Sequence, residues 1–179
     1  DSHRSDMLAM WEDFVNTTSQ ARDREAAMRM AEKLTAVLEE TGMTVTAHDV
    51  GPVNSCTLEA VWGADRPGQP VLFGGHYDTV NSSPVENPVP GADNEWDGTP
   101  HFRVDSQGKA YGLGCLDMKG GIVIAIWVVK ALQALGWAER PVKFILAGDE
   151  DKGHFDANTP QLLIRLAKGA LCCFNMETG

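Results

Sequence analysis

The chain has 179 residues, 43% of them hydrophobic and 22% charged, and its 25 acidic and 15 basic side chains leave a formal net charge of -10. That composition suits one soluble domain with a real core. The acidic balance disfavours nucleic acid or an anionic membrane as a partner, and no apolar run approaches the roughly 20 residues needed to span a bilayer.

Met7 to Val15 is the first periodic segment, a predicted helix with Leu8, Trp11, Phe14 and Val15 on one face. A second helix is predicted from a Ser19 cap through Glu40, with Met28, Ala31, Leu34, Val37 and Leu38 at helical spacing and Gly42 closing it. Met43–Val50 and Cys56–Trp62 read as strands, punctuated by Gly51-Pro52 and Asn54, and Val71–Gly75 follows as a buried strand. Asn81 to Pro100 is polar and rich in Pro and Gly, too long for an ordinary connection, and such loops usually carry a task.

Phe102–Val104 and Ala110–Gly112 suggest a small hairpin turning at Ser106–Lys109. Asp117 to Leu135 reads as a largely apolar helix ended by Gly136, and Val142–Ala147 as a buried strand. Thr159 is a predicted N-cap followed by Pro160 at the first helical position, with Gly169 ending that helix. Ala170–Phe174 closes the pattern as a last buried strand. Helices alternating with short apolar strands predict an α/β fold: a mixed, largely parallel central sheet with helices on both faces.

The four cysteines, Cys56, Cys115, Cys172 and Cys173, lack the spacing of a structural zinc site or a disulfide framework. Cys172 and Cys173 sit in an apolar run and are read as small buried hydrophobes. A reducing cytoplasm is the default reading, with export left open because the chain starts at Asp1 rather than at an initiator Met.

Four polar clusters carry the chemistry: His76-Tyr77-Asp78, Asp117 in GLGCLDMKGG, Asp149-Glu150-Asp151, and Glu177 in CCFNMETG. Three directly follow predicted strands, where open α/β sheets bind ligands, and Asp117 heads a predicted helix whose N-terminus favours a carboxylate. Each cluster alone is explained as a strand terminus, a solvated acidic turn or a helix cap. Together they suggest a metal site, because carboxylates converge in one cleft only when a cation or proton separates them, and imidazole nitrogen with carboxylate oxygen suits zinc.

The ordered set GGHYDTV, AYGLGCLDMKGG, AGDEDKG and METG, with PHFRVDSQGKAYG between the first two, resembles the zinc-dependent metallopeptidases that include glutamate carboxypeptidase, acetylornithine deacetylase, succinyl-diaminopimelate desuccinylase and aminoacylase. The resemblance implies a zinc-exopeptidase-like fold and two zinc ions, with cobalt or manganese as substitutes. It implies amide hydrolysis by a metal-activated water, on N-acyl amino acids or small peptides with a free carboxylate. By the same resemblance His76, Asp117, Asp151 and Glu177 are metal ligands. Asp117 bridges the two ions and is followed by a cis peptide to Met118. Asp78 orients His76, and Glu150 is the general base.

Asp151 stands where the family usually has Glu, a deficit of roughly 1.5 Å in reach. His154 stands where a small residue is more common, and a surface or capping role is expected for it. Residues 1–179 match the N-terminal portion of the family's catalytic domain, without its last His ligand or its lid and dimerisation domain. The expectation is therefore a weakly active or inactive chain with at most one well-formed metal position, associating into a homo-oligomer through an uncovered edge. Two other readings compete. A non-catalytic metal-binding or assembly fragment keeps the fold, and a phosphate-binding α/β protein lacks both GxxxxGK[ST] and GxGxxG.

Overall fold

A computed structural model describes residues 2–80 and 101–177; the long polar segment 81–100 lies outside the described residues. Helices α1 (Arg4–Asn16) and α2 (Arg24–Glu40) lead into strands β1 (Thr44–His48), β2 (Thr57–Trp62) and β3 (Val71–His76). The hairpin β4 (Arg103–Val104) and β5 (Ala110–Tyr111) precedes a wide turn, Cys115–Lys119, and helix α3 (Gly120–Ala134). Strand β6 (Val142–Ala147), helix α4 (Thr159–Ala167) and strand β7 (Cys172–Asn175) follow.

The main sheet has the order β1-β2-β6-β3-β7. It is mixed: β1 and β2 run antiparallel to their neighbours, whereas β6, β3 and β7 run parallel to one another. This parallel half directs the carboxyl ends of three strands to one edge, which is where the polar clusters emerge. The α/β architecture expected from the sequence is present.

Alternation along the strands decides the layers. Leu58 and Ala60 of β2, Phe73 of β3 and Phe144 and Leu146 of β6 pack with Phe14, Leu34, Leu38 and Ile126 of the first three helices. The intervening residues face the other way. Lys143 pairs with Glu59 at 2.6 Å and donates from Nζ to the Leu166 carbonyl of α4, so α4 covers the opposite face.

Four local expectations are corrected. Asp23, not Ser19, caps α2, its carboxylate accepting from the Ala26 N–H at 3.0 Å. Ser19 is fully buried and donates to the Tyr77 carbonyl instead. Asp117 does not cap α3: its backbone is non-helical, and the helix starts three residues later at Gly120. Thr159 is the first residue of α4, and its hydroxyl donates to the buried Asp149 at 2.8 Å rather than to the helix. Strand β7 is exposed, Cys172 and Cys173 included, because among the described residues it pairs on one side only, with β3.

Candidate metal centre

His76 ends β3 and is 1% exposed. Its ring stands between two groups of acids. On one side, Nδ1 lies 3.1 Å from the Asp78 carbonyl and 3.2 Å from Asp78 Oδ1, both acceptors. Nδ1 must therefore carry the proton and donate it, which leaves the Nε2 lone pair free in the neutral ring. On the other side, Nε2 lies 2.9 Å from Asp117 Oδ1, 3.1 Å from Glu177 Oε1 and 3.7 Å from Glu150 Oε2. Residues more than 100 positions apart in sequence thus meet at one ring nitrogen.

Asp78 is fully buried and does more than orient the ring. Its Oδ1 accepts the Glu150 N–H at 3.1 Å and its Oδ2 the Asp151 N–H at 2.9 Å. The carboxylate that fixes the His76 tautomer therefore also fixes the loop that carries the acids after β6. The sequence signalled this only as His-x-Asp, because the amide donors come from a segment 72 and 73 residues away.

The turn that presents Asp117 contains the cis peptide Asp117–Met118. Met118 is fully buried and its sulfur accepts the His76 N–H at 3.0 Å. A side chain at Gly75 would collide with that thioether. Lys119 is 1% exposed, with Nζ donating to the carbonyls of Phe14 at 3.0 Å and Thr17 at 2.8 Å. Burial pushes its pKa down to about 7, and the amine retains N–H donors for both carbonyls on either side of that value.

Glu177 is placed by a close approach. At Gly121, in the first turn of α3, an added methyl would run into the Met176 carbonyl oxygen. Gly121→Ala must push residues 175–177 outward and move Glu177 away from His76. Overpacking of this kind costs about 1–3 kcal/mol. We expect a loss of metal affinity of about 10–100-fold, the range for disturbed ligand support, read by competition with a chromophoric chelator.

Asp151 is brought to the cluster but to its other side. Its Oδ2 lies 4.0 Å from His76 Nδ1, beside Asp78. Two sets of three donor residues lie close enough to share an ion among the described residues: His76, Asp117 and Glu177, and His76, Asp78 and Asp151. Neither pairs Asp151 with Asp117. His154 adopts φ +54° and places Nδ1 2.9 Å from Asp149 Oδ1, so it braces the loop after β6.

The electrostatics ask for a cation. Burial raises the Asp151 pKa to about 7, His76 opposes the rise, and Asp78, Asp117 and Glu150 add to it. Burial alone would disfavour a charged His76, but Asp78, Glu177 and Asp151 outweigh it and the ring pKa reaches about 9. A cluster that favours a proton on Asp151 and on His76 is one that a metal ion would also relieve. One imidazole nitrogen with two carboxylates also matches the three-ligand pattern of catalytic zinc, so the residues present fit such an ion. A cavity of about 310 Å³, lined by Glu150, His154 and Glu177 with Leu72, Ile145 and Leu163, opens beside them.

Comparison with known proteins places this geometry in a lineage. Residues 72–176, more than half of the chain, match the model of peptidase family M20/M25/M40. The chain is 29% identical over 129 residues to a cysteinylglycine-S-conjugate dipeptidase of Corynebacterium striatum, covering 70% of this chain and 26% of that protein. It is 31% identical over 116 residues to a succinyl-diaminopimelate desuccinylase of Maricaulis maris, covering 65% and 27%. The crystal structure of human carnosine dipeptidase 1 shares the fold, with a TM-score of 0.77 at 22% identity over 98% of this chain and 39% of that one. The chain thus spans about a quarter to two fifths of the length of these proteins. The family match runs from β3 to the residue before Glu177 and takes in His76, Asp117, Glu150 and Asp151: the chain belongs to peptidase family M20/M25/M40.

Proposed function

We propose that the protein of which these residues form part is a metal-dependent hydrolase of amide bonds, acting on N-acyl amino acids or small peptides with a free carboxylate. The observation that carries this reading is the convergence of Asp117, Glu177 and Glu150 on the Nε2 atom of a buried histidine. The relatives named dipeptidase and desuccinylase support the same bond type.

His76, Asp117 and Glu177 would hold one ion, zinc by the donor set, with cobalt or manganese able to replace it, and Asp151, which lies on the Asp78 side of His76, would contribute to a second. When bound, such ions polarise the scissile carbonyl and make water nucleophilic near neutral pH. The chain's own residues supply the rest. Asp78 keeps the Nδ1 proton of His76 in place, so Nε2 remains a donor atom. Glu150, whose side chain is half-exposed, is free to take a proton from the attacking water and return it to the leaving amine. Its main chain, pinned by Asp78, restricts where the carboxylate can swing.

Turnover of N-acyl amino acids and dipeptides by the zinc-loaded, complete protein tests the reading. Stoichiometric zinc without turnover would favour the non-catalytic metal-binding alternative. Asp151→Glu adds one methylene, roughly 1.5 Å of reach. It is expected to tighten the second, weaker binding event in a calorimetric zinc titration while leaving the first unchanged.

A further inference from the structure

The two arms of the centre, residues 76–79 and 114–119, come from different parts of the chain, and their spacing has to be set by something. Directly, the His76 N–H donates to the thioether of Met118, a weak acceptor, and His76 Nε2 meets Asp117 Oδ1 at 2.9 Å, a contact between the two candidate ligands themselves. Further ties run through a third segment. The connector Thr17–Ala21, between α1 and α2, grips the first arm three times. Ser19 Oγ donates to the Tyr77 carbonyl at 2.7 Å, the Thr79 N–H donates to the Ser19 carbonyl at 2.9 Å, and the Ala21 N–H donates to the Thr79 carbonyl at 2.8 Å. Lys119 grips the same connector from the second arm through the Thr17 carbonyl at 2.8 Å, and the last turn of α1 through the Phe14 carbonyl at 3.0 Å. Trp11 Nε1 adds a bond to the Cys115 carbonyl at 3.0 Å.

We propose that Thr17–Ala21 is a bracket that sets the distance between His76 and Asp117, with Lys119 as its clasp and a positioning residue of the centre. The inference rests on the metal-centre reading for its purpose but not for its geometry. A lysine that merely capped the end of α1 would, when lost, loosen α1 alone. A clasp transmits its loss to the backbone of residues 76–79, to which Lys119 makes no hydrogen bond, its direct link there being the attraction of its charge to Asp78.

The test is made on the full chain with Lys119→Met and Ser19→Ala, by amide hydrogen exchange without metal and by cobalt(II) titration followed through visible absorption. For Lys119→Met, exchange at 76–79 and at 114–119 is expected to quicken together by about ten-fold or more. Cobalt affinity is expected to fall within the about 10–100-fold range for lost ligand support, with an altered absorption envelope. Ser19→Ala removes one hydroxyl and keeps the fold, so it carries the test if Lys119→Met does not fold. It should quicken exchange at 76–79 and shift the cobalt spectrum without lowering the melting temperature by more than a few degrees. Unchanged exchange at 76–79 in the folded variants would overturn the bracket. Should the wild-type chain take up no cobalt while exchange responds as described, the metal reading falls and the bracket stands.

Discussion

Glu150→Gln is expected to lower turnover of the complete, zinc-loaded protein by about 10²–10⁴-fold, the span that a positioned general base contributes. The exchange keeps the side chain's size and removes its capacity to accept a proton. Neither donor set includes Glu150, which lies 3.7 Å from His76 Nε2, further than Asp117 or Glu177. Zinc content and affinity are therefore expected to stay within a few-fold of wild type. The measurement is kcat on an N-acyl amino acid or dipeptide with metal analysis of the same sample. Wild-type turnover in that variant would remove Glu150 from the chemistry and leave the ion without a base.

His76→Ala should have the complementary signature, losing the ion first. Deleting the ring removes the Nε2 atom that faces Asp117 and Glu177 and the Nδ1–H that Asp78 accepts. Asp117 and Glu177 would face each other with no imidazole between them. The loss of affinity should exceed the about 10–100-fold typical of residues that only support a ligand, and activity should vanish with the metal. Equilibrium dialysis against buffered zinc reads the first effect directly. Retention of a stoichiometric ion at wild-type affinity would show that the centre is built elsewhere.

These two results differ in a way the sequence already suggested, since His76-x-Asp78 and Asp149-Glu150-Asp151 announce different chemistry. What was legible came from short-range pattern: continuous apolar strands, the polar residues at their ends, and the order of four clusters. Strand β6 was bounded correctly because Pro141 and Gly148 flank a run that is apolar except for Lys143. What was not legible depended on partners distant in sequence. Ser19 has the composition of a helix cap, yet a carbonyl 58 residues away claims its hydroxyl. Lys119 has the composition of a surface residue, yet two carbonyls about 100 residues back hold it inside. Cys172 and Cys173 lie in an apolar run that reads as interior, yet β7 has a neighbour on one side only among the described residues. The direction of Asp151, toward Asp78 and not toward Asp117, follows from the loop after β6 being tied to Asp78, which no local spacing reveals.

Asp78 receives three N–H groups and offers nothing in return, and that asymmetry makes its nearest isostere its worst replacement. An asparagine amide turned one way would press its NH₂ against the Asp151 amide; turned the other way, against the Glu150 amide and the imidazole. Either orientation strands a donor in the interior at about 1–3 kcal/mol. Shape alone is therefore no guide to exchangeability at this position.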